Sequence, residues 1–165
     1  MSAPLTPPAS TELVPGLTRN WAVQVNVGTI ETPDWEFVIG ITSFDAPVSK
    51  ALQDAGDINF GVWGGQLATE ANWTVNMNIL MKLDAAGEPN PATEFLRQCS
   101  TKVGVDGMAQ IRYWRTDGFP DSYMGRGDVQ FSGGGGDKTS LHSSTVTITG
   151  YGPLEAITKP TATTP

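Results

Sequence analysis

Cysteine is almost missing from this sequence: Cys99 stands alone among 165 residues, so no intrachain disulfide can tie the fold together. Histidine is as scarce, with His142 the single example. One thiol and one imidazole cannot assemble a Cys/His zinc site, and no metal or cofactor site is expected. Charge is sparse too. Asp, Glu, Lys and Arg make up 16% of the chain, and 17 acidic residues against ten basic ones give a formal net charge of −7. The basic residues are scattered singly from Arg19 to Lys159, with no run to follow a phosphate backbone or grip an acidic membrane. Charge of this sign argues against tight nucleic-acid binding. No stretch approaches the roughly 20 apolar residues of a membrane-spanning helix. Residues 1–17 lack the basic start and apolar centre of a secretory signal, so synthesis and assembly in a cytoplasm are the expectation.

What the chain does have is 19 Gly, 12 Pro and many Thr, Ser and Asn, a balance that favours strands and turns over helices. Its length suits one domain. Residues 1–18 are Pro- and Thr-rich without periodicity and are expected to form an extended N-terminal arm. Residues 153–165 have the same character and are expected to form a flexible tail, leaving 19–152 as the folded domain.

Within that domain the main signal is period-2 alternation, which puts successive side chains on opposite faces of a strand. Trp21, Val23, Val25 and Val27 alternate with Asn20, Ala22, Gln24 and Asn26. Trp35, Phe37, Ile39 and Ile41 alternate with Glu36, Val38, Gly40 and Thr42. In the longest run Ala71, Trp73, Val75, Met77, Ile79, Met81 and Leu83 face one way, while Glu70, Asn72, Thr74, Asn76 and Asn78 face the other. At about 3.3 Å per residue this run spans over 40 Å, far beyond the usual strand of about five or six residues. Assemblies that share sheets between subunits use such strands.

Three further strands are expected at 108–115, 122–131 and 139–151. The first two are joined by TDGFPD, where Asp117-Gly118 offers the positive φ of a tight turn. The glycines at 133–136 cannot form a strand interior and make a flexible connection. One helix interrupts the β pattern at about 91–103: Pro91 opens it, Glu94 lies in its first turn, and Lys102 and Gly104 mark its end. Phe95, Leu96, Cys99 and Val103 fall on its apolar side, with Cys99 as a small core residue. The segment 44–67 shows few periodic positions and reads as a long loop, the kind that carries function or is ordered by a partner. It holds Phe60, Val62 and Trp63 among glycines, apolar groups that call for burial against a neighbouring subunit.

No constellation points to catalysis, and the chain is not expected to be an enzyme. His142 adjoins Ser143 and Ser144 but no spacing brings a carboxylate to it. Arg126-Gly127-Asp128 and Asn72-Trp73-Thr74 spell an integrin tripeptide and a glycosylation acceptor, yet both lie in alternating strands. Asp54 and Asp57 lack the oxygen-ligand spacing of a calcium loop. The five tryptophans raise one alternative, a carbohydrate-binding β-sandwich module. Trp21, Trp35 and Trp73 share faces with Val, Ile and Met as core aromatics do, which leaves Trp63 and Trp114 as candidates for exposure.

In its order of pieces the chain resembles the major tail tube proteins of siphophages, notably those infecting actinobacteria. The resemblance runs through TRNWAVQVNVGT, DWEFVIGITSFDAPVSKALQD, NWTVNMNILMKL, PATEFLRQCSTKVGVDGMAQIRYWRTDGFPDSYMGRGDVQFS and STVTITGYG, covering about 18–152. It implies a mainly β fold of tail-tube type, a β-sandwich or partly open barrel with one flanking helix at about 91–103. It further implies stacked hexameric rings in a virion tail, with inner strands joined edge to edge around a lumen. Six copies at −7 each carry 42 formal negative charges, so double-stranded DNA would pass during genome ejection without sticking. Implied partners are a tape measure protein, distal tail proteins and a terminator. The expected lumen-facing residues are Asn72, Thr74, Asn76 and Asn78, with Glu36 on a neighbouring strand. The expected intersubunit residues are Lys50, Asp54, Asp57, Phe60 and Trp63.

Overall fold

The computed structural model describes residues 3–11 and 13–162, so the extreme ends of both expected arms lie outside the described residues. The chain is mainly β, with 43% strand against 10% helix, as the composition and alternation predict. Its strands are β1 Trp21–Asn26, β2 Trp35–Phe37, β3 Ile41–Asp45, β4 Val48–Asp54, β5 Gln66–Leu80, β6 Met108–Arg115, β7 Ser122–Gly133, β8 Ser143–Gly150 and β9 Glu155–Ala156, with the helix α1 Pro91–Cys99 between β5 and β6. The sheet runs in the order β2-β1-β6-β7-β8-β5-β3, with β4 continuing beside β5 and β9 beside β7. All pairings are antiparallel. The sheet curls until Trp21 on β1 meets Phe44 on β3, ring centres 5.0 Å apart. The result is a partly open barrel.

Residues paired across antiparallel strands share a face, and the inner face carries the core. Val23, Val25, Val75, Met77, Ile79, Ile111, Tyr113, Val129, Val146 and Ile148 line it, and α1 closes it with Ala92, Leu96 and Cys99. Cys99 is buried, as expected of a packing residue, and burial pushes its thiol pKa up. Trp73 sits at the centre of one end. Its indole N–H donates to the Gly152 carbonyl at 3.0 Å, and Gly125 and Gly150 leave no room for a Cβ beneath the ring. Those two glycines are a steric requirement, since any side chain there would overlap the indole.

The helix begins as predicted. Asn90 accepts the Thr93 amide at 3.2 Å and Pro91 occupies the first turn, which satisfies one of the orphan donors of a helix start. It ends at Cys99, four residues before the expected 103, because Ser100 and Thr101 donate their hydroxyls to the Arg97 and Gln98 carbonyls at 2.7 and 2.8 Å. Such local bonds compete with helix continuation. Val103 therefore leaves the apolar face and is 90% exposed.

Three other expectations are corrected. The segment 44–67 is not one long loop: it contains the end of β3 and all of β4, leaving 55–65 as the connection. On β2 the inward face is reversed. Glu36 pairs with the buried Val25, while Trp35 and Phe37 pair with Asn26 and Gln24 on the outer face, and Val38 enters the core in place of Phe37 and Ile39. In the β6–β7 connection Gly118 does not adopt a positive φ. Arg115 donates its amide to the Asp121 carbonyl at 2.9 Å, so the turn is wide and its order comes from Asp117. That carboxylate pairs with the Arg115 guanidinium and accepts from Phe119 N at 3.2 Å and Asn20 Nδ2 at 3.2 Å.

The same turn receives the C-terminal segment. Residues 153–162, expected to be a flexible tail, lie along β7: β9 pairs with Tyr123 and Met124, Ile157 donates to the Ser122 carbonyl at 3.0 Å, and the Lys159 ammonium bonds to the Asp117 and Phe119 carbonyls. Residues 3–11 and 13–17 are exposed.

Two measurements check this account. Gly150→Ala drives a methyl into the Trp73 ring and is expected to cost roughly 1–3 kcal/mol, read as a lower urea midpoint. Asp117 has a pKa held down to about 2 from 3.8, first by its hydrogen bond from Arg115. A carboxylate depressed in the folded state contributes stability above its unfolded pKa and loses it as pH falls through the folded value. Melting temperatures between pH 4 and 2 should therefore fall more steeply for the wild type than for Asp117→Asn, and parallel curves would show that the pair is not formed.

Candidate assembly surface

β5 is two structures in one strand. Its second half, from Trp73 onward, is bonded on both sides, to β8 through Thr74↔Thr149 up to Leu80↔Ser143 and to β3 through Asp45↔Asn76 up to Ile41↔Ile79. Among the described residues its first half, residues 66–72, pairs only with β4. The opposite edge of that half carries free backbone donors and acceptors. Fifteen residues at about 3.3 Å each give roughly 50 Å, so β4 and the first half of β5 project from the barrel as an arm.

The arm has no core of its own. Residues 66–72 are all exposed, and in β4 only Ala51 is half-buried. At its tip Ala55 N donates to the Gly65 carbonyl at 2.9 Å, Asp54 accepts from Gly56 N at 2.9 Å, and Asp57 accepts from Asn59 N at 2.8 Å. These bonds order the backbone while the apolar side chains remain outside. Ile58 is 99% exposed and Trp63 83%, and Val48, Leu52, Phe60, Val62 and Leu67 are exposed with them. So many exposed apolar side chains on one arm are unusual on a monomeric surface. All five expected intersubunit residues fall on this arm: Lys50 on β4 opposite Ala71, Asp54 at its end opposite Gln66, and Asp57, Phe60 and Trp63 in the tip. Val48, Leu52 and Leu67 are exposed on the same arm, and the two-sided exposure of β4 gives no alternation that would mark them in the sequence.

The second surface is the outer face of the sheet. Thr74, Asn76 and Asn78 stand beside Thr149, Thr147 and Thr145. Thr145 donates to Asn78 at 2.8 Å, Thr147 to Asn76 at 3.2 Å, and Asn78 to Ser43 at 2.8 Å. The row continues to Asn72 and Ser49 on the arm and to Asp128, Gln130 and Ser132 on β7. This is a hydrogen-bonding lattice of amides and hydroxyls, with Asp128 and Asp45 as carboxylates at its margins. Glu36 is not part of it, since it faces the core side of β2, five places away in the sheet order. The three threonines of β8 follow from alternation once Val146 and Ile148 are inward, but their place beside β5 is a long-range pairing.

At its other end the outer face turns aromatic. The Arg112 guanidinium lies 4.2 Å from the Trp35 ring centre and 5.8 Å from that of Trp114, and it donates to Gln24 at 2.8 Å. Burial pushes its pKa down. Trp114, a candidate for exposure in a sugar-binding reading, is only 7% exposed. Trp63 stands alone on the arm, so no row of tryptophans forms a platform. His142 lies exposed just before β8.

No protein-family model matches the sequence, and no curated protein matches it. Solved structures do. A chain from the tail of an empty gene transfer agent particle, refined with helical C6 symmetry, superposes with a TM-score of 0.67 at 12% identity, covering 87% of this chain and 100% of that one. A chain from the six-fold symmetrised baseplate of the anti-feeding prophage gives a TM-score of 0.55 at 12% identity, covering 86% of this chain and 95% of that one. A chain from the sheath-tube complex of an extracellular contractile injection system gives 0.54 at 11% identity, covering 90% and 95%. At such identities the likeness is one of fold, and it extends over nearly the whole domain: the chain has a tail-tube-type β-rich fold.

Proposed function

We propose that this protein is a structural subunit of a virion tail tube, stacking as hexameric rings into a conduit for double-stranded DNA during genome ejection. The observation that carries this reading is the projecting β4–β5 arm, with its apolar tip and its unpaired edge along residues 66–72. Neither feature is satisfied within one copy. A second copy supplies both an apolar surface and a strand, and closing a sheet into a ring removes edges that would otherwise aggregate. The likeness to chains from a tail refined with C6 symmetry and from a six-fold symmetrised baseplate supports the ring number.

In such a ring the outer face with Asn72, Thr74, Asn76 and Asn78 lines the lumen, joined by Thr145, Thr147 and Thr149. Amides and hydroxyls that already bond one another offer DNA no fixed cation to halt on, and the acidic chain adds like-charge repulsion. The residues Lys50, Asp54, Asp57, Phe60 and Trp63 make the contact between copies. Tape measure, distal tail and terminator proteins would be its neighbours. The protein belongs to the particle of a long-tailed, siphophage-type virus assembled in the host cytoplasm, and it carries no enzymatic activity.

Purified protein at rising concentration should form tubes of uniform diameter under electron microscopy. Phe60→Ser/Trp63→Ser should keep its folding stability to within about 0.5 kcal/mol, since both side chains are exposed, while losing tubes. Unaltered tubes from that variant would refute the arm contact, and a wild type that stays single at every concentration would refute self-assembly. In a map of the assembled tube Asn76 and Asn78 should face the bore; finding them on the outer wall removes the lumen assignment.

A further inference from the structure

The two ends of β5 present complementary surfaces. Before its first residue, Gln66, lies the arm tip with Ile58, Phe60, Val62 and Trp63 exposed. Beyond its last residue, Leu80, the chain forms an open cleft of about 390 Å³. Ile39, Ile79, Met81, Leu83, Pro89 and Pro91 give it an apolar lining, and Ile39 and Leu83 are more than half exposed. Leu141 is exposed close by, since the His142 carbonyl accepts the Met81 amide at 2.9 Å. Internal bonds hold the walls. Leu80 donates its amide to the Gly40 carbonyl at 2.7 Å, which keeps Ile39 beside the strand end. Asp84 accepts the Ala86 and Glu88 amides, both at 2.9 Å, and Leu83 bridges to Pro89. Lys82, Asp84 and Glu88 stand among the lining residues, so an occupant meets an apolar middle and a polar rim of mixed sign, the usual anatomy of a protein contact.

We propose that this cleft receives the arm tip of a second copy, with Trp63 as the seated side chain, so that copies join head to tail. The choice of a second copy rests on the self-assembly reading above. Three observations favour this occupant. A copy's own tip cannot reach its own cleft, because the two ends of β5 are on the order of 50 Å apart along the strand. The tip is already ordered by its Ala55–Gly65, Asp54–Gly56 and Asp57–Asn59 bonds, so seating it costs little further entropy. Its area is also of the right scale. An aromatic side chain such as Trp63 buries roughly 150–250 Å², and Phe60, Val62 and Ile58 extend the contact towards the roughly 800 Å² per partner of a stable interface. The competing occupant is the N-terminal segment, where Leu5, Leu13 and Val14 are exposed. It offers no aromatic group, and among the described residues its backbone holds one internal bond, from Leu13 N to the Ser10 carbonyl at 3.0 Å. Tip and cleft are different surfaces at opposite ends of one strand, so the contact is heterologous and each added copy leaves a tip and a cleft free for the next.

The test uses the full-length protein carrying Val62→Cys/Leu83→Cys, treated with a short bis-maleimide at an assembling concentration; Cys99 is buried and takes no part. A ladder of cross-linked multimers on a denaturing gel is expected, and tubes without that ladder would overturn the proposal. Dimers from Val62→Cys alone would show tips meeting tips and overturn the cleft as receptor. A ladder from Leu5→Cys/Leu83→Cys in place of the first one would give the cleft to the N-terminal segment and overturn the tip as occupant. Ile39→Asp/Leu83→Asp, checked for folding by circular dichroism, should need roughly tenfold more protein to form tubes. Assembly of that variant at the wild-type concentration would overturn the receptor and leave the tube reading standing. A wild type that never assembles sinks the tube reading instead, and a fluorescently labelled peptide of residues 54–66 then decides the receptor. Saturable binding to the wild type, roughly tenfold weaker to Ile39→Asp/Leu83→Asp, upholds it; equal binding to both, or none, overturns it.

Discussion

Every backbone amide and carbonyl in a strand must find a partner or water, and β5 meets that demand in two different ways along one uninterrupted segment. From Trp73 to Leu80 it is bonded on both edges and its odd-numbered side chains fill the core. From Gln66 to Asn72 it is bonded on one edge and fills nothing. From Glu70 to Asn78 the period-2 geometry puts the even-numbered side chains on one face, and the register shift at Ala51/Leu52 ends that alternation further out. The polar lattice of the sheet and the polar side of the arm are therefore the same row of residues, from Glu70 through Asn78. Shifting the register by one residue would bury the asparagines and expose Trp73, Val75 and Met77, so core and outer surface are specified together.

The Arg115–Asp117 pair plays a comparable part at the other end of the barrel. It orders the β6–β7 turn, ties it to Asn20 at the start of β1, and presents the Asp117 and Phe119 carbonyls to Lys159. Gly16 passes against the same cluster. Both ends of the folded domain are thus anchored on one turn. A polar constellation of this kind contributes little hydrophobic energy, but it decides where the two chain ends leave the barrel.

Much of this was legible in the sequence where burial is one-sided. β1, the core half of β5, β6 and β7 announce themselves by alternation, and Asn90-Pro91 marks the helix start, because each of these signals is local. β4 was not legible, since in VSKALQD both faces are exposed and neither is selected for apolar residues. β2 misled because Trp35, Phe37 and Ile39 outweigh Val38 in bulk, yet the strand is three residues long and its big side chains cover Arg112, Gln24 and Asn26 on the outer face. The tail 153–162 reads as linker because its order comes from backbone bonds to β7 and from one lysine, none of which leaves a periodic trace. Of the expected lumen set, Asn72, Thr74, Asn76 and Asn78 share one strand and one face, whereas Glu36 depended on guessing which strands are neighbours.

The acidity of the chain and the apolar arm pull in opposite directions, and their ranges differ. Charge repulsion between copies acts over about a Debye length, near 8 Å at physiological ionic strength, and opposes chance encounters in any orientation. The apolar tip acts only in contact, through surface removed from water. Random collisions are therefore discouraged, while a docking that seats Phe60 and Trp63 and extends the free edge of residues 66–72 gains both at once. Self-association under those conditions would favour one geometry over many, as the proposed tube requires.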